Sequence, residues 1–330
     1  MWRNFLVASR ACFFSLFVLP VLAAPLEVKF LNVGQADAAL IRCPDGRHRM
    51  VIDAGDTRYP DSSAQFRSAI TDLLGGTGQE ITVAVASHPH EDHIGSMRWL
   101  LENFSVGTYV DNGDRRDTTN FGKLDATRRK LIRAGKLTYI NGKENSFASI
   151  DFCPDVTVEI FSAWAVESLS DLNDRSVGVR ISYDDISFLF VGDMHEEAEH
   201  AMLARFSPEE RAKLRATVLK AGHHGSDTSS TAEFITAVAP EVVVVSCGKK
   251  GVGTNSGYKH PRLTTVRHYA DWTKAHPPLR RASDGKVWSY DAKNKRWKFE
   301  PRPEDTWLTV NDGTVTITTD GQSLNITSEN

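Results

Sequence analysis

The chain has 330 residues, of which 41% are hydrophobic and 25% charged. That balance excludes a disordered, collagenous or coiled-coil protein and leaves enough apolar residues for a sizeable core. A formal net charge of −3 excludes a chain that binds nucleic acid through overall basicity.

In chain order, the first feature is an export signal. Arg3 and Arg10 are the only charges before Glu27, and the apolar run ACFFSLFVLPVLAA ends in small residues. A positive start, an apolar centre and a small-residue end predict a signal peptide over residues 1–24, cleaved after Ala23 or Ala24, and hence a secreted or periplasmic protein. The uncharged stretch from Ala11 to Leu26 holds Pro20 and is short for a membrane span of ~20 residues. Cleavage takes two arginines and moves the net charge from −3 to −5; it also removes Cys12. Cys43, Cys153 and Cys247 remain, none with CxxC spacing. They leave open one disulfide with one thiol, or three buried small hydrophobes.

Strands are expected over Leu26–Val33, Ala38–Cys43 and Met50–Asp53, split by Gly, Asp and Pro. A helix follows over 62–74. The run EITVAVAS, Glu80 to Ser87, reads as a strand buried on both faces. A helix fits Ile94–Asn103, and strands at 105–110 and 137–140 flank a polar helix near 119–134. Further strands fall at Val156–Phe161, Val177–Tyr183, Ile186–Val191, Thr217–Lys220 and Val242–Ser246, with helices near 230–238 and 261–275. Trp288–Phe299 reads as a hairpin around Asn294. Many strands are neighbours in sequence, so the simplest architecture is two sheets face to face with helices outside. The tail after Glu304 reads as an added β meander.

The chemistry gathers at strand ends. Directly after EITVAVAS comes Ser87-His88-Pro89-His90-Glu91-Asp92-His93, three histidines and an aspartate within six residues. His88 and His90 share a side if the backbone is extended. Imidazole and carboxylate at this density suit zinc, manganese or iron. An apolar strand ends in Gly192-Asp193, where a carboxylate could bridge two cations. Another runs into Gly222-His223-His224-Gly225. Together the three strand ends hold enough ligands for two metals.

These residues resemble the metallo-β-lactamase fold superfamily, which carries HxHxDH, a later Gly-Asp and a final His. More narrowly the chain is similar to the soluble hydrolase domain of the ComEC/Rec2 competence proteins. The stretches that carry this are Phe30-Leu-Asn-Val-Gly-Gln-Ala-Asp-Ala38, Val51-Ile-Asp-Ala-Gly55, Lys220 to Ser226, and Gly257-Tyr258-Lys-His260-Pro261. The resemblance implies an α+β fold, a four-layer αββα sandwich, with a hydrolase domain over 25–302 and a C-terminal β extension over 303–330. It implies one or two Zn²⁺ per chain, with Mn²⁺ as an alternative. His88 and His90 would bind one ion; Asp92, His93 and one of His223 and His224 would bind the other, with Asp193 bridging. Because neighbours in an extended chain face opposite ways, one of the pair is expected to bind metal, His224 being preferred. His223 would then donate to a substrate oxygen. Asp92 would also help orient the attacking water. Asp37, Asp53, Asn173 and Ser176 would support the ligands, and Tyr258 and His260 would contact substrate. Where many relatives place a further histidine, this chain has Asp171-Leu-Asn173-Asp174-Arg175-Ser176, so the His88/His90 ion would have fewer protein ligands.

Charge distribution bears on the substrate. Between Lys249 and Arg302 lie 14 Lys and Arg against four Asp and Glu, interleaved with Tyr258, Tyr269, Trp272, Trp288, Tyr290, Trp297 and Phe299. Cations with aromatics grip phosphates and stack bases, although a solvated hairpin over core aromatics has the same composition. The reading favoured is a secreted metal-dependent phosphodiesterase, nuclease-like, with an anionic substrate for which nucleic acid and other phosphodiesters are the candidates. The alternatives are a phosphorylcholine or other surface-ester hydrolase, and a non-catalytic binding module on the same fold.

Overall fold

A computed structural model describes residues 24–75, 79–145, 147–278, 281–282 and 285–330. The expected signal peptide lies, but for Ala24, outside the described residues. Among those described, no helix is long and apolar enough to cross a membrane.

Period-two burial fixes the outer strands and all-round burial fixes the central ones. In Leu26–Phe30, Leu26, Val28 and Phe30 are buried while Glu27 and Lys29 are half-buried; in Ile186–Phe190 every residue is buried. The strands in chain order are β1 Leu26–Phe30, β2 Ala39–Arg42, β3 Arg49–Ile52, β4 Glu80–Val85, β5 Ser105–Asp111, β6 Thr138–Asn141, β7 Ala148–Cys153, β8 Val156–Phe161, β9 Gly178–Tyr183, β10 Ile186–Phe190, β11 Val218–Lys220, β12 Val242–Val245, β13 Lys286–Asp291, β14 Arg296–Pro301, β15 Thr306–Leu308, β16 Val315–Thr319 and β17 Leu324–Ser328. One sheet runs β17-β16-β1-β2-β3-β4-β5-β6, a second β15-β12-β11-β10-β9-β8-β7, and β13-β14 form a separate ribbon.

The two sheets enclose a core that includes Phe30, Ile41 and Val83 from the first and Val158, Phe188 and Val244 from the second. Phe30 and Phe190 stack across it, ring centroids 5.5 Å apart. Helices cover both outer faces. Pro60–Leu74, Met97–Asn103 and Thr119–Arg133 bury Phe66, Ile70, Leu100 and Leu124 on the first sheet. Glu196–Arg205, Ala232–Val238 and Leu263–Ala275 bury Met202, Phe234 and Tyr269 on the second. This is the α+β, four-layer αββα arrangement.

The segment after residue 302 is built into both sheets. β15 pairs with β12, β16 pairs with β1, and β17 closes the edge beside β16. The helix expected over Ile94–Asn103 is broken into Glu91–Ile94 and Met97–Asn103. Gly95 lies at the break, so close to the loop after β3 that a Cβ there would meet the Gly55 carbonyl oxygen at 2.4 Å. Strand β7 and helix Glu196–Arg205 are additions to the elements read from sequence.

Cys43 and Cys153 form a disulfide, and Cys247 is a buried thiol. Cys43 follows β2 in the first sheet and Cys153 ends β7 in the second, so the bond ties sheet to sheet. In register, Arg42 faces Arg49, at the start of β3, and Cys153 faces Val156, which lies level with the start of β10. The disulfide therefore sits at the end of the sandwich opposite the C-terminal ends of β3, β4, β10 and β11.

Candidate metal centre

Those four strand ends bring the chemistry together. β3 delivers Asp53, β4 the loop Ser87–His93, β10 delivers Asp193, and β11 delivers His223 and His224. Gly192 permits the Asp193 turn: its φ is +55°, and a Cβ there would lie 2.8 Å from Ser176 Oγ and 2.9 Å from Ser87 Cβ. Asp53 also holds a positive φ, +60°, a backbone cost of the kind concentrated at functional sites.

Asp193 is the centre of the cluster. His93 Nε2 lies 3.1 Å from its Oδ2, His224 Nε2 3.5 Å, His223 Nε2 3.8 Å and His88 Nε2 3.9 Å. Asp92 Oδ2 lies 3.7 Å from His224 Nε2. His90 joins through its Nδ1, 2.8 Å from His88 Nε2. The six residues expected to ligate metal are therefore brought together. His93, Asp193 and His224, with Asp37, offer ligand atoms that all lie within 4.8 Å of one another.

The far sides of the rings are held by the protein. His93 Nδ1 donates to Asp53 Oδ2 at 2.8 Å, and Asp53 also accepts from the Ser87 amide and hydroxyl. His224 Nδ1 lies 3.0 Å from the Ser246 carbonyl, to which it donates, and 3.4 Å from Asp37 Oδ1. His88 Nδ1 meets the Ser87 and Ser176 hydroxyls. Ser176 Oγ accepts the Asp193 amide at 3.2 Å. So Asp53, Asp37 and Ser176 stand behind the site. Asn173 stands farther out, its side-chain nitrogen 3.1 Å from His195 Nε2.

The inward atoms are left without partners. His93 Nε2, His224 Nε2 and Asp193 Oδ1 are buried and make no hydrogen bond. Buried polar groups are normally paired, so these atoms fit a bound cation. Imidazoles and carboxylates without thiolates suit Zn²⁺ or Mn²⁺.

Electrostatics agree. Burial opposes ionisation of Asp193, but His224, His93 and His223 outweigh it and hold its carboxyl well below the usual range. Burial likewise opposes charge on His93 and His224, yet Asp193 with Asp53 holds His93 well above its ordinary value, and Asp193 with Asp37 lifts His224 to about 10. His88 goes the other way, lowered by burial and then by His93. His223 falls to about 4, mainly through burial.

One expectation fails in geometry. His223 and His224 do not alternate across a strand. Both adopt left-handed backbone, φ +43° and +53°, in a tight turn that aims both rings at Asp193. His224 is 1% exposed, whereas His223 is half-buried, its Nδ1 near Thr228 Oγ1 and His195 Nε2 at 3.0 and 2.9 Å.

The site opens into a cavity of about 370 Å³ whose lining includes Arg58, Arg116, Arg262, Tyr258 and His260. Tyr258 is 43% exposed and its ring stacks 6.0 Å from the buried His260 ring. Sequence reasoning missed Lys220, His195 and the three arginines. Lys220 is buried and its Nζ pairs with Asp37; a lysine in an otherwise apolar strand was the signal for it. His195, two residues past Asp193, bonds both His223 and Asn173.

The family model for the metallo-beta-lactamase superfamily matches residues 31–249. ComE operon protein 3 of Bacillus subtilis (strain 168) is 26% identical over 77% of this chain and 32% of its own length. Competence protein ComA of Neisseria gonorrhoeae is 34% identical over 70% of this chain and 27% of its own length. The chain thus spans about a third or less of these relatives. Among solved structures, the metallo-beta-lactamase fold protein YhfI from Bacillus subtilis is 8% identical with a TM-score of 0.44, covering 77% of this chain and 95% of that one.

Proposed function

Because the chain belongs to the metallo-beta-lactamase superfamily, we propose that it is an exported metal-dependent hydrolase of phosphodiester bonds. The observation that carries the reading is the set of unpartnered ligand atoms around Asp193 at the floor of a cavity ringed by Arg58, Arg116 and Arg262. Guanidinium groups recognise phosphate oxygens bidentately. Export draws support from the disulfide, since such bonds persist in oxidising compartments.

His88, His90, Asp92, His93, Asp193 and His224 would hold one or two cations. A cation bound there supplies Lewis acidity, lowering the pKa of water from about 15.7 to around 7. The protein's own groups do the rest. Asp53 fixes the His93 ring so that Nε2 faces inward, and Ser246 does the same for His224. Asp92, at the cavity wall, accepts a hydrogen bond from the attacking water and orients it. His223, anchored through Nδ1, turns its Nε2 toward the cavity and donates to an oxygen that gains charge in the transition state. Arg58 is itself held by Asp56, through contacts of 2.7 to 3.0 Å, so it enters the cavity pre-oriented. The arginines bind the diester anion, and Tyr258 with His260 borders the leaving-group side.

The test is metal analysis of the purified protein followed by turnover of bis-p-nitrophenyl phosphate, p-nitrophenyl phosphorylcholine and nitrocefin. Chelator-sensitive turnover of the two phosphodiesters is expected, bis-p-nitrophenyl phosphate ahead of the choline ester and both above nitrocefin. A protein that carries metal but cleaves none of them, or prefers nitrocefin, would overturn the reading.

A further inference from the structure

The ribbon β13-β14 takes no part in the metal centre, yet its outer face is unusual. Register pairs Trp288 with Phe299 and Tyr290 with Trp297, so four aromatic rings share one face, opposite the buried Val287. Trp288 is 43% exposed and Phe299 51%, and their rings stack with centroids 4.9 Å apart.

Each ring has a cation beside it. Lys250 Nζ lies 3.6 Å from the Trp288 centroid and 5.9 Å from that of Trp297. Lys286 lies 5.7 Å from Phe299, and Lys259 and Arg262 lie 4.7 and 5.3 Å from Tyr290. The ribbon's acids are on its other face, where Asp291 pairs with Lys298 and Glu300 with Arg267. Trp288 and Trp297 wall a second cavity, of about 650 Å³, that also contains Lys249 and Lys250; Asp56, paired with Arg58, and Asp61 are among its other lining residues. His260 lines this cavity and the metal cavity alike, held between them by Gln35 at 3.1 Å.

We propose that this face is a stacking platform for a single-stranded polynucleotide, feeding one end of the strand past His260 into the metal cavity. The proposal rests on the phosphodiester reading above and adds a separate binding site to it. The chemistry selects the occupant. Exposed rings that stack any base, interleaved with cations that meet the backbone, are what single strands require. A duplex hides its base faces. A choline-type ligand is itself a cation, which Lys250, Lys259, Lys286 and Arg262 around these rings repel. Lys250 is exposed, so its ammonium can pass from the Trp288 face to a phosphate and vacate the ring for a base.

The experiment measures binding of fluorescently labelled dT20 to chelator-treated protein by anisotropy, with a 20-base-pair duplex and long-chain polyphosphate as comparisons. The wild type is expected to prefer dT20 over both. Trp288→Ala and Phe299→Ala should each bind dT20 roughly 5- to 100-fold more weakly, and Trp288→Phe, which keeps a ring, should recover most of the loss. Lys250→Ala should lower the slope of log affinity against log salt by roughly 0.7. Equal affinity in wild type and both alanine variants, or tighter binding of duplex or polyphosphate, overturns the platform. The two readings fail separately. Wild-type protein that binds dT20 but, metal-loaded, leaves bis-p-nitrophenyl phosphate intact keeps the platform and loses the phosphodiesterase; the converse keeps the enzyme and loses the platform.

Discussion

Asp53 holds His93 from behind: a 2.8 Å hydrogen bond to Nδ1 fixes the tautomer and leaves Nε2 facing Asp193. The two residues are 40 positions apart and lie on neighbouring parallel-strand ends. Such supports typically contribute 10- to 100-fold in metal affinity. Asp53→Ala should therefore weaken metal binding by about that factor, and Asp53→Asn, which keeps an acceptor but no charge, by less. Competition with a chromophoric chelator reads both, and unchanged affinity in Asp53→Ala would remove the supporting role.

Asp193 is the carboxylate that four imidazoles approach, whereas Asp174, of similar burial, caps the backbone at His195 and Ala198. Asp193→Ala should lose most bound metal, while Asp174→Ala should keep it. Plasma emission analysis of the two purified variants decides, and equal metal content would mean the centre is elsewhere.

His223 and His224 share a turn but differ in burial. His224→Ala should lose metal and activity together. His223→Ala should keep its metal and lose turnover by roughly 100- to 1000-fold, the size of one oxyanion donor. Metal loss in the first and not the second of the pair His223→Ala, His224→Ala would reverse their roles, and full activity in both would refute the mechanism.

In the metal-free protein His93 and His224 both hold protons at neutral pH, the latter until about pH 10. A cation must displace those protons, so binding should release them and tighten as pH rises, about tenfold per unit for each proton. Calorimetry of Zn²⁺ binding at pH 7 in buffers of different ionisation enthalpy measures the release; none at all would contradict the electrostatics. The stability consequence has a definite sign. The folded pKa of His224 is raised above its unfolded value of 6.5, so its contribution is full below about pH 6.5 and is lost as pH climbs toward about 10. Thermal melts of chelated protein should show this fall.

Export predicts that protein recovered from its native host begins near Ala24 or Pro25, by N-terminal sequencing. Protein beginning at Met1 and retained in the cytoplasm would count against it.

The ligand loop was legible because three histidines and an aspartate crowd into six residues after an apolar strand, a density that local sequence displays directly. What the sequence hid is what folding brings from afar. Lys220 meets Asp37 across 183 positions, and nothing local to either announces the other. The paired aim of His223 and His224 was misjudged because alternation presumes an extended chain, and a two-residue left-handed turn breaks that premise. Strand β7 escaped notice since ASIDFC carries one aspartate and one serine among its outward residues and no strong turn before it. Helix Glu196–Arg205 escaped because its acidic first turn and small buried residues, Ala198 and Ala201, give a weak apolar stripe.

The disulfide and the metal centre occupy opposite ends of the same sandwich, and each joins one sheet to the other. Mechanically they act as spine and clasp. With the clasp undone by a chelator, Cys43–Cys153 still ties the two sheets at the far end, so the ligand groups of the two halves stay at high mutual concentration. With the spine cut by a reductant as well, a loop of about a hundred residues is freed, which chain entropy values at on the order of 4–5 kcal/mol. Chelation and reduction together should therefore cost more stability than their separate effects added, so that ion loss is a reversible event only while the cystine is intact.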